Sequence, residues 1–435
     1  MSFMSLSHLT SLLPTDAALV VALSGGLDST VLLHQLVRWR QMHPQTCLRA
    51  LHVHHGLSPN ADSWAAYCLA LCKEWQLCCE VLHVVVDSHR KEGIEGAARN
   101  VRYRALTAAM QPYEILLTAQ HLDDQCETLI LALKRGSGVT GLAAMPVRLV
   151  RGGYQLLRPL LSHSRKQLEF YARQHHLRWI EDESNQEIRY DRSFLRQHLL
   201  PKLMERWPHF ARACSRSAEL CGEQEQLLNE LLAEQLAELT NANGSLNFTP
   251  LLQMSEARAN ALLRRWIAQQ NAPMPSRAAL TCLRREVMLS CDEAQPRLRF
   301  GHAEARRYRG MLYWIPVHAS LRDQQLLWDC YDDLLQLPQG LGVLHAKNTC
   351  SELRQPEPNE QISIRFYAQG YFHILGRAGG RKLKKLWQEL AVPPWERERI
   401  PLIFYNQTLI CAPGLFITRQ GAAVDENGWQ VIWQK

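Results

Sequence analysis

The sequence predicts an α/β fold: an open parallel sheet with helices on both faces, followed by a helical middle domain and a small α+β C-terminal domain. Three observations carry that prediction. Through about residue 215, short apolar runs alternate with amphipathic windows long enough for right-handed crossovers. Beyond Pro201 the strand signal stops and helical spacing takes over. The C-terminal quarter returns to short β-like runs punctuated by Pro and Gly. A chain of 435 residues, 46% apolar, can bury more than one core. The expected domains are 1–215, 216–320 and 321–435.

Taken in order, strands are expected at Ala18–Leu23, Leu48–His54, Glu80–Val86 and Ile115–Ala119. Helix-like windows lie between and after them at Ser29–Arg38, Ala61–Leu77, Ala97–Met110 and Gln125–Lys134. Phe210–Leu239 carries apolar residues at helical spacing with Glu and Gln between them. Asn241–Asn247 is a turn cluster, Leu251–Gln269 reads as helix, and Pro296–Pro316 alternates like a hairpin. Ile362–Phe366, Leu402–Phe404 and Leu409–Ala412 are the β-like runs of the last domain.

A formal net charge of +7 favours an anionic partner, although part of that excess serves solubility. Met1–Pro14 lacks the basic start and apolar stretch of a secretion signal, and no segment offers roughly 18 uninterrupted apolar residues. A cytoplasmic protein with no membrane association is expected. The 13 cysteines contain no Cys-x-x-Cys pair, which disfavours a zinc ribbon or an iron-sulfur cluster and suits reduced thiols filling a core.

The most informative stretch is Val20-Val21-Ala22-Leu23-Ser24-Gly25-Gly26-Leu27-Asp28-Ser29-Thr30, an apolar strand running into a glycine-rich turn that opens a helix. Such a turn exposes backbone N–H groups at a helix N-terminus, where an anion is favoured. Ser24, Gly25, Gly26, Leu27, Asp28 and Ser29 are therefore the candidate phosphate-binding residues. The Gly-Lys-Ser/Thr ending of a Walker A loop is missing. An acidic Asp28 among phosphates makes sense when Mg²⁺ lies between them. The plainer alternative is a tight turn with Asp28 or Ser29 capping the helix.

A second constellation, Thr118-Ala119-Gln120-His121-Leu122-Asp123-Asp124-Gln125-Cys126-Glu127-Thr128, follows the fourth strand, where open sheets present ligands. Asp124 and Glu127 share a helix face and are candidates, with Asp28, for metal binding and proton transfer. An acidic helix start that suits the macrodipole is the competing account. Lys134 to Leu142 forms a basic glycine loop that brings in Arg135. Arg99 and Arg102 lie three apart and suit contact with ATP phosphate or tRNA, or simple solvation, while Arg192 and Arg196 either line the cleft entrance or belong to a capped, amphipathic basic helix. The histidines His52, His54 and His55 suit capping or packing better than metal ligation. Arg377, Arg381, Lys382, Lys384 and Lys385 form a basic patch without an acidic residue between Gly376 and Lys385, with Trp387 and Trp395 close by for stacking or packing.

Ser-Gly-Gly-x-Asp-Ser after a first strand is similar to the signature of the PP-loop N-type ATP pyrophosphatases, Rossmann-like enzymes that cleave ATP between its α- and β-phosphates. The histidine, aspartate and Glu-Thr pattern around Asp124, with the following Arg-Gly-x-Gly loop, resembles the tRNA(Ile)-lysidine synthetases. This chain departs from that pattern at Gln120, where the family often has a histidine, and at His54, where Asn or Asp is common. Glu95, Ala98, Arg99, Arg102 and Tyr103 resemble a family helix. Asp182, Glu183, Ser184, Asn185, Arg189, Arg192, Arg196 and Pro201 resemble a further family segment, and the run from Leu383 to Pro401 resembles the family's C-terminal domain.

That resemblance implies adenylation of a wobble cytidine in tRNA(Ile) with a CAU anticodon, then attack by free L-lysine, with ATP and Mg²⁺ required. It implies Asp28, Asp124 and Glu127 as catalytic residues, Asp28 and Asp124 as metal ligands, and the basic residues above as substrate contacts. It leaves room for a homodimer. Three rivals are weaker: a PP-loop tRNA thiolase, which needs a persulfide cysteine or cluster; an amidotransferase-like synthetase, which needs an N-terminal nucleophilic cysteine; and a non-catalytic RNA-binding protein.

Overall fold

The computed structural model describes residues 6–56, 58–85, 93–181, 190–291, 294–329, 334–347, 352–423 and 428–435. Contact density divides the chain into two compact units, residues 1–231 and 232–435. In the first, a short α1 (Ser7–Thr10) precedes β1 (Ala18–Ala22), α2 (Leu27–Met42), β2 (Cys47–His54), α3 (Ala61–Glu74), β3 (Cys78–His83), α4 (Gly93–Ala108), β4 (Ile115–Leu117) and α5 (Leu122–Lys134). Then come α6 (Val139–Leu142), β5 (Arg148–Arg151), β6 (Tyr154–Leu157), α7 (Arg165–Gln174), α8 (Asp191–Phe194) and α9 (Leu200–Arg206).

The six strands form one sheet in the order β3-β2-β1-β4-β6-β5. All neighbours run parallel except β5, which pairs antiparallel with β6. The central strand β1 reads as an unbroken apolar run because both of its faces are covered. Leu19 and Val21 join Leu32, Leu36, Trp39, Cys68 and Leu168 beneath α2, α3 and α7. Val20 and Ala22 face the other way, onto Leu51, Leu106 and Leu116 beside α4. The strand order reverses between β1 and β4, so the loops leaving these two strands diverge and open a crevice at their carboxyl ends.

The second unit begins inside the long helix α10 (Phe210–Leu239), whose extent matches the expected Phe210–Leu239. Its Leu232, Leu236 and Leu239 pack with β7 (Leu246–Asn247), α11 (Glu256–Gln269) and α12 (Arg277–Cys282). The expected hairpin is part of a larger sheet, in which β8 (Arg297–Phe300), β9 (Ala303–Tyr308) and β10 (Met311–Pro316) join β7 in the order β7-β10-β9-β8. Beyond it, β11 (Gln325–Leu327), β12 (Leu335–Gln336), β13 (Val343–Lys347), β14 (Ile362–Arg365), β15 (Tyr371–Phe372) and β16 (Arg381–Lys382) lead into α13 (Leu383–Glu389). The chain closes with β17 (Leu402–Tyr405), β18 (Thr408–Ala412), β19 (Phe416–Ile417) and β20 (Gln430–Gln434). These make sheets in the orders β11-β14-β17-β18-β19, β12-β13-β20 and β15-β16. Among the described residues no helix is long and apolar enough to cross a membrane.

Candidate active site

The phosphate loop forms where β1 ends. Gly25 has a φ of +82°, and a Cβ there would sit 2.7 Å from Ile180 Cδ1 and 3.1 Å from Cys68 Sγ, so only glycine fits. The Ile180 N–H donates to the Gly25 carbonyl at 2.9 Å, pinning the turn. Gly26 is the N-cap of α2 and brings no side-chain cap, which leaves the first N–H groups of the helix directed at the crevice. The Ser24 N–H donates to Ser29 Oγ at 3.2 Å, the two hydroxyls lie 3.0 Å apart, and Ser29 Oγ donates to the Gly26 carbonyl at 3.1 Å. Ser29 is buried and braces the turn from within, and Leu27 anchors it in the core.

Asp28, in the first turn of α2, meets the α5 segment across the crevice. Its Oδ2 accepts from Arg165 Nη1 at 3.2 Å and faces His121 Nε2 at 3.7 Å. Its Oδ1 is buried with no hydrogen-bond partner among the described residues. Burial raises the Asp28 carboxyl above its usual range, against the pull of His121 and Arg165. His121 is the N-cap of α5: its Nδ1 accepts the Asp123 N–H at 3.2 Å, and the Asp124 carboxylate accepts the His121 N–H at 3.1 Å, closing a capping box. His121 Nε2 lies 3.4 Å from Asp124 Oδ2. Burial opposes a charge on this ring, but Asp124, Asp123 and Asp28 outweigh it and lift its pKa to about 8. When protonated, Nδ1 faces the Asp123 carboxylate at 3.4 Å instead.

Glu127 is fully buried. Arg196 Nε and Nη2 donate to it at 2.9 and 3.1 Å, and Arg192 Nη1 donates at 3.4 Å. Arg196 Nη2 also donates to Asp124 Oδ1 at 3.0 Å. Burial raises the Glu127 carboxyl, with the two arginines opposing that rise. With both oxygens occupied, Glu127 is built to hold guanidinium groups, which suits the supporting role expected for it better than the alternative of accepting a proton. Arg196 likewise spends its donors on Asp124 and Glu127 rather than facing out. It stands in a π turn, Leu195–Leu199. Pro201 explains the widened turn, because it has no N–H for the carbonyl of Gln197 four residues earlier.

Beside this cluster lies a cleft of about 230 Å³ lined by His55, Ala98, Arg99, Arg102, Tyr103, Gln120 and Arg192. Three of the expected substrate arginines therefore come together. Arg99 sits over the Tyr103 ring at 5.1 Å, and burial works against the Arg102 charge. Gln120 lines this cleft, and its Oε1 accepts from the Thr118 hydroxyl. His52 and His54 serve structure: His52 Nδ1 bonds the Leu23 carbonyl at 2.9 Å, and His54 pairs with Asp62 at 3.0 Å. Arg135 is exposed at the C-cap of α5, roughly 18 Å along the helix from Asp123.

In the second unit, Lys382, Lys384 and Lys385 are exposed, while Leu383, Leu386 and Trp387 of the same segment are buried. Arg377 and Arg381 both pair with Glu389, which lowers the net charge of the patch. Both tryptophans pack: Trp387 lies 5.6 Å from Phe416, and Trp395 lies 5.0 Å from Tyr313. The expected segment Asp182, Glu183, Ser184, Asn185 and Arg189, the residue Leu57 and the side chain of Glu95 lie outside the described residues.

Mg²⁺ fits the residues present. Among the described residues no cluster of three or more His, Cys, Asp or Glu forms a closed metal cage. Mg²⁺ bound with phosphates takes only one or two carboxylates, and Asp28 and Asp124 face one imidazole nitrogen from two helices, with an unpartnered oxygen on Asp28. His121 and Arg165 join the site without having been among the candidates that the sequence offers. His121 had a signal, a ring placed directly before a pair of aspartates at a helix start. Arg165 had none, being 137 residues from Asp28 in the chain.

A PP-loop domain model matches residues 4–203. The fold and the site define the chain as a PP-loop enzyme of the N-type ATP pyrophosphatase class. A TilS substrate binding domain model matches residues 246–313 and a TilS substrate C-terminal domain model matches residues 362–433. The chain is 53% identical over 424 residues to the tRNA(Ile)-lysidine synthases of Salmonella typhimurium strain LT2 and Salmonella newport strain SL254, with 98% of each chain covered. It belongs to the tRNA(Ile)-lysidine synthase family. Among solved structures, a U34-tRNA thiolase from Methanococcus maripaludis with its 4Fe-4S cluster aligns at 16% identity and a TM-score of 0.44, covering 49% of this chain and 74% of the other. An NH3-dependent NAD synthetase from Campylobacter jejuni aligns at 13% and 0.28, covering 49% and 91%.

Proposed function

We propose that the chain ligates free L-lysine to the 2-carbon of the wobble cytidine of tRNA(Ile) with a CAU anticodon, consuming ATP and producing AMP and pyrophosphate. The observation that carries the site assignment is the convergence of Asp28, at the phosphate loop, and Asp124, at the start of α5, on one imidazole. In the first step the cytosine O2 attacks the α-phosphorus, the bond to the β-phosphate oxygen breaks, and pyrophosphate leaves. In the second the lysine ε-amine attacks C2, the C2–O2 bond breaks, and AMP departs with that oxygen while the amine loses a proton.

The turn from Ser24 to Ser29 receives the polyphosphate through backbone N–H groups, with no protein rearrangement needed to stabilise charge. Asp28 and Asp124 hold Mg²⁺, which when bound neutralises charge on the phosphate oxygens. Glu127 fixes Arg192 and Arg196 beside the reacting atoms. Arg99 and Arg102 take RNA or nucleotide phosphate in the cleft, and Arg135, Arg377, Arg381, Lys382, Lys384 and Lys385 supply further contacts to the polyanion. The same reading assigns domains 1–215, 216–320 and 321–435, a cytoplasmic setting and a homodimer as the form to test. Asp28→Asn keeps the shape of the side chain and should stop lysine- and tRNA-dependent AMP formation while the melting temperature holds; turnover retained within tenfold would discard the site.

A further inference from the structure

We propose, building on the nucleotide reading above, that His121 is a positioning residue that sets the separation of Asp28 and Asp124. The two carboxylates belong to different helices, α2 and α5, and no described hydrogen bond joins them directly. The His121 ring is the group between them, 99% buried, with Nε2 at 3.7 Å from Asp28 and 3.4 Å from Asp124. Neither approach completes a hydrogen bond, and Nε2 and Asp28 Oδ1 are both buried without a partner among the described residues.

The opposite side of the ring is fixed. Nδ1 lies against Asp123 in either state, accepting its N–H at 3.2 Å when neutral and facing its carboxylate at 3.4 Å when protonated, and the His121 N–H is held by Asp124 itself, so the ring cannot shift without disturbing the start of α5. One side chain thus fastens the start of α5 and presents an Nε2–H to the carboxylates on either side. Arg165 adds a second tie across the same gap, its guanidinium on Asp28 and its N–H on Asp123 at 2.7 Å. A ligating pair held by partners of this kind loses about 10–100-fold in metal affinity or activity when such a partner is removed.

Capping and positioning are separable by substitution. His121→Asn keeps an acceptor for the Asp123 N–H, since Asn is among the best N-caps, but has nothing at the Nε2 position; His121→Ala loses both. ATP binding by the full chain, without tRNA or lysine, is followed by calorimetry as Mg²⁺ is titrated, alongside steady-state turnover. His121→Asn should melt like the wild type, need about 10–100-fold more Mg²⁺ for half-saturation, and lose kcat with an unchanged KM for lysine. Wild-type Mg²⁺ dependence and turnover in His121→Asn would overturn the inference, as would an equal loss of melting temperature and function in both variants. Failure of the wild-type protein to bind ATP with Mg²⁺ would remove the nucleotide reading along with it.

Discussion

Asp28 and Glu127 are both carboxylates lifted by burial, yet they are held in different ways. Glu127 is enclosed by Arg192 and Arg196, while Asp28 keeps one oxygen without a partner among the described residues. A buried charge with an unused acceptor is costly unless a cation comes to meet it, and that contrast separates Asp28 from Glu127 and from Asp124, whose two oxygens accept from Arg196 and from the His121 N–H. A second group shows the reverse sign of coupling. His34 packs against Tyr171 and His175, and its Nδ1 lies 3.0 Å from the Tyr171 hydroxyl. Burial, followed by His175 and Arg38, lowers its pKa to about 4. The unfolded ring takes up a proton near pH 6.5, so the contribution of neutral His34 is complete above that value and is lost as the pH falls towards 4. Urea midpoints at pH 7 and pH 5 should therefore differ less in His34→Gln than in the wild type; an identical difference would show that His34 does not couple to stability.

At the scale of elements, α5 organises the site from its N-terminal half. Its N-terminus carries the His121 capping box, and its interior holds Gln125, whose amide donates to the Met145 carbonyl at 2.9 Å and accepts the Met145 N–H at 3.0 Å. This buried pair copies a backbone ladder and ties the segment after the basic glycine loop to α5. Gln125→Ala leaves two buried main-chain groups unpaired and should reduce stability by about 2–4 kcal/mol, with hydrogen exchange at Met145 rising by orders of magnitude; unchanged exchange would contradict the role. The β1–loop–α2 unit was legible because its physics is local: an apolar run, glycines where φ is positive, then helical spacing. β5 was not legible. Arg148–Arg151 is an edge strand, set by a Gly152-Gly153 turn, and carries too little apolar pattern to announce itself. The sheet of the middle region was underestimated for a similar reason, since β7 is two residues long and exists only through pairing with β10.

Over the whole molecule, the residues that sequence pattern brought forward fall into two sets. Asp124, Glu127, Arg192 and Arg196 form one bonded network, which Asp28 faces across the His121 ring, and Arg99, Arg102 and Arg192 line one cleft. Long-range partners such as Arg165 follow only from the way α7 packs on α2, which no local signal encodes. The exposed lysines of the second unit belong to the polyanion reading, and that reading has a quantitative consequence. Neutralising about six phosphates predicts a loss of roughly a thousandfold in tRNA affinity between 50 and 200 mM salt; a flat titration would contradict it. The central claim is lysidine formation through an adenylated cytidine, and mass spectrometry tests it most directly. Isoleucine tRNA with a CAU anticodon, incubated with the protein, ATP, Mg²⁺ and isotopically labelled lysine, should carry the intact labelled residue on its wobble base in place of one oxygen. A wobble cytidine of unchanged mass, with ATP consumed or not, would contradict the account.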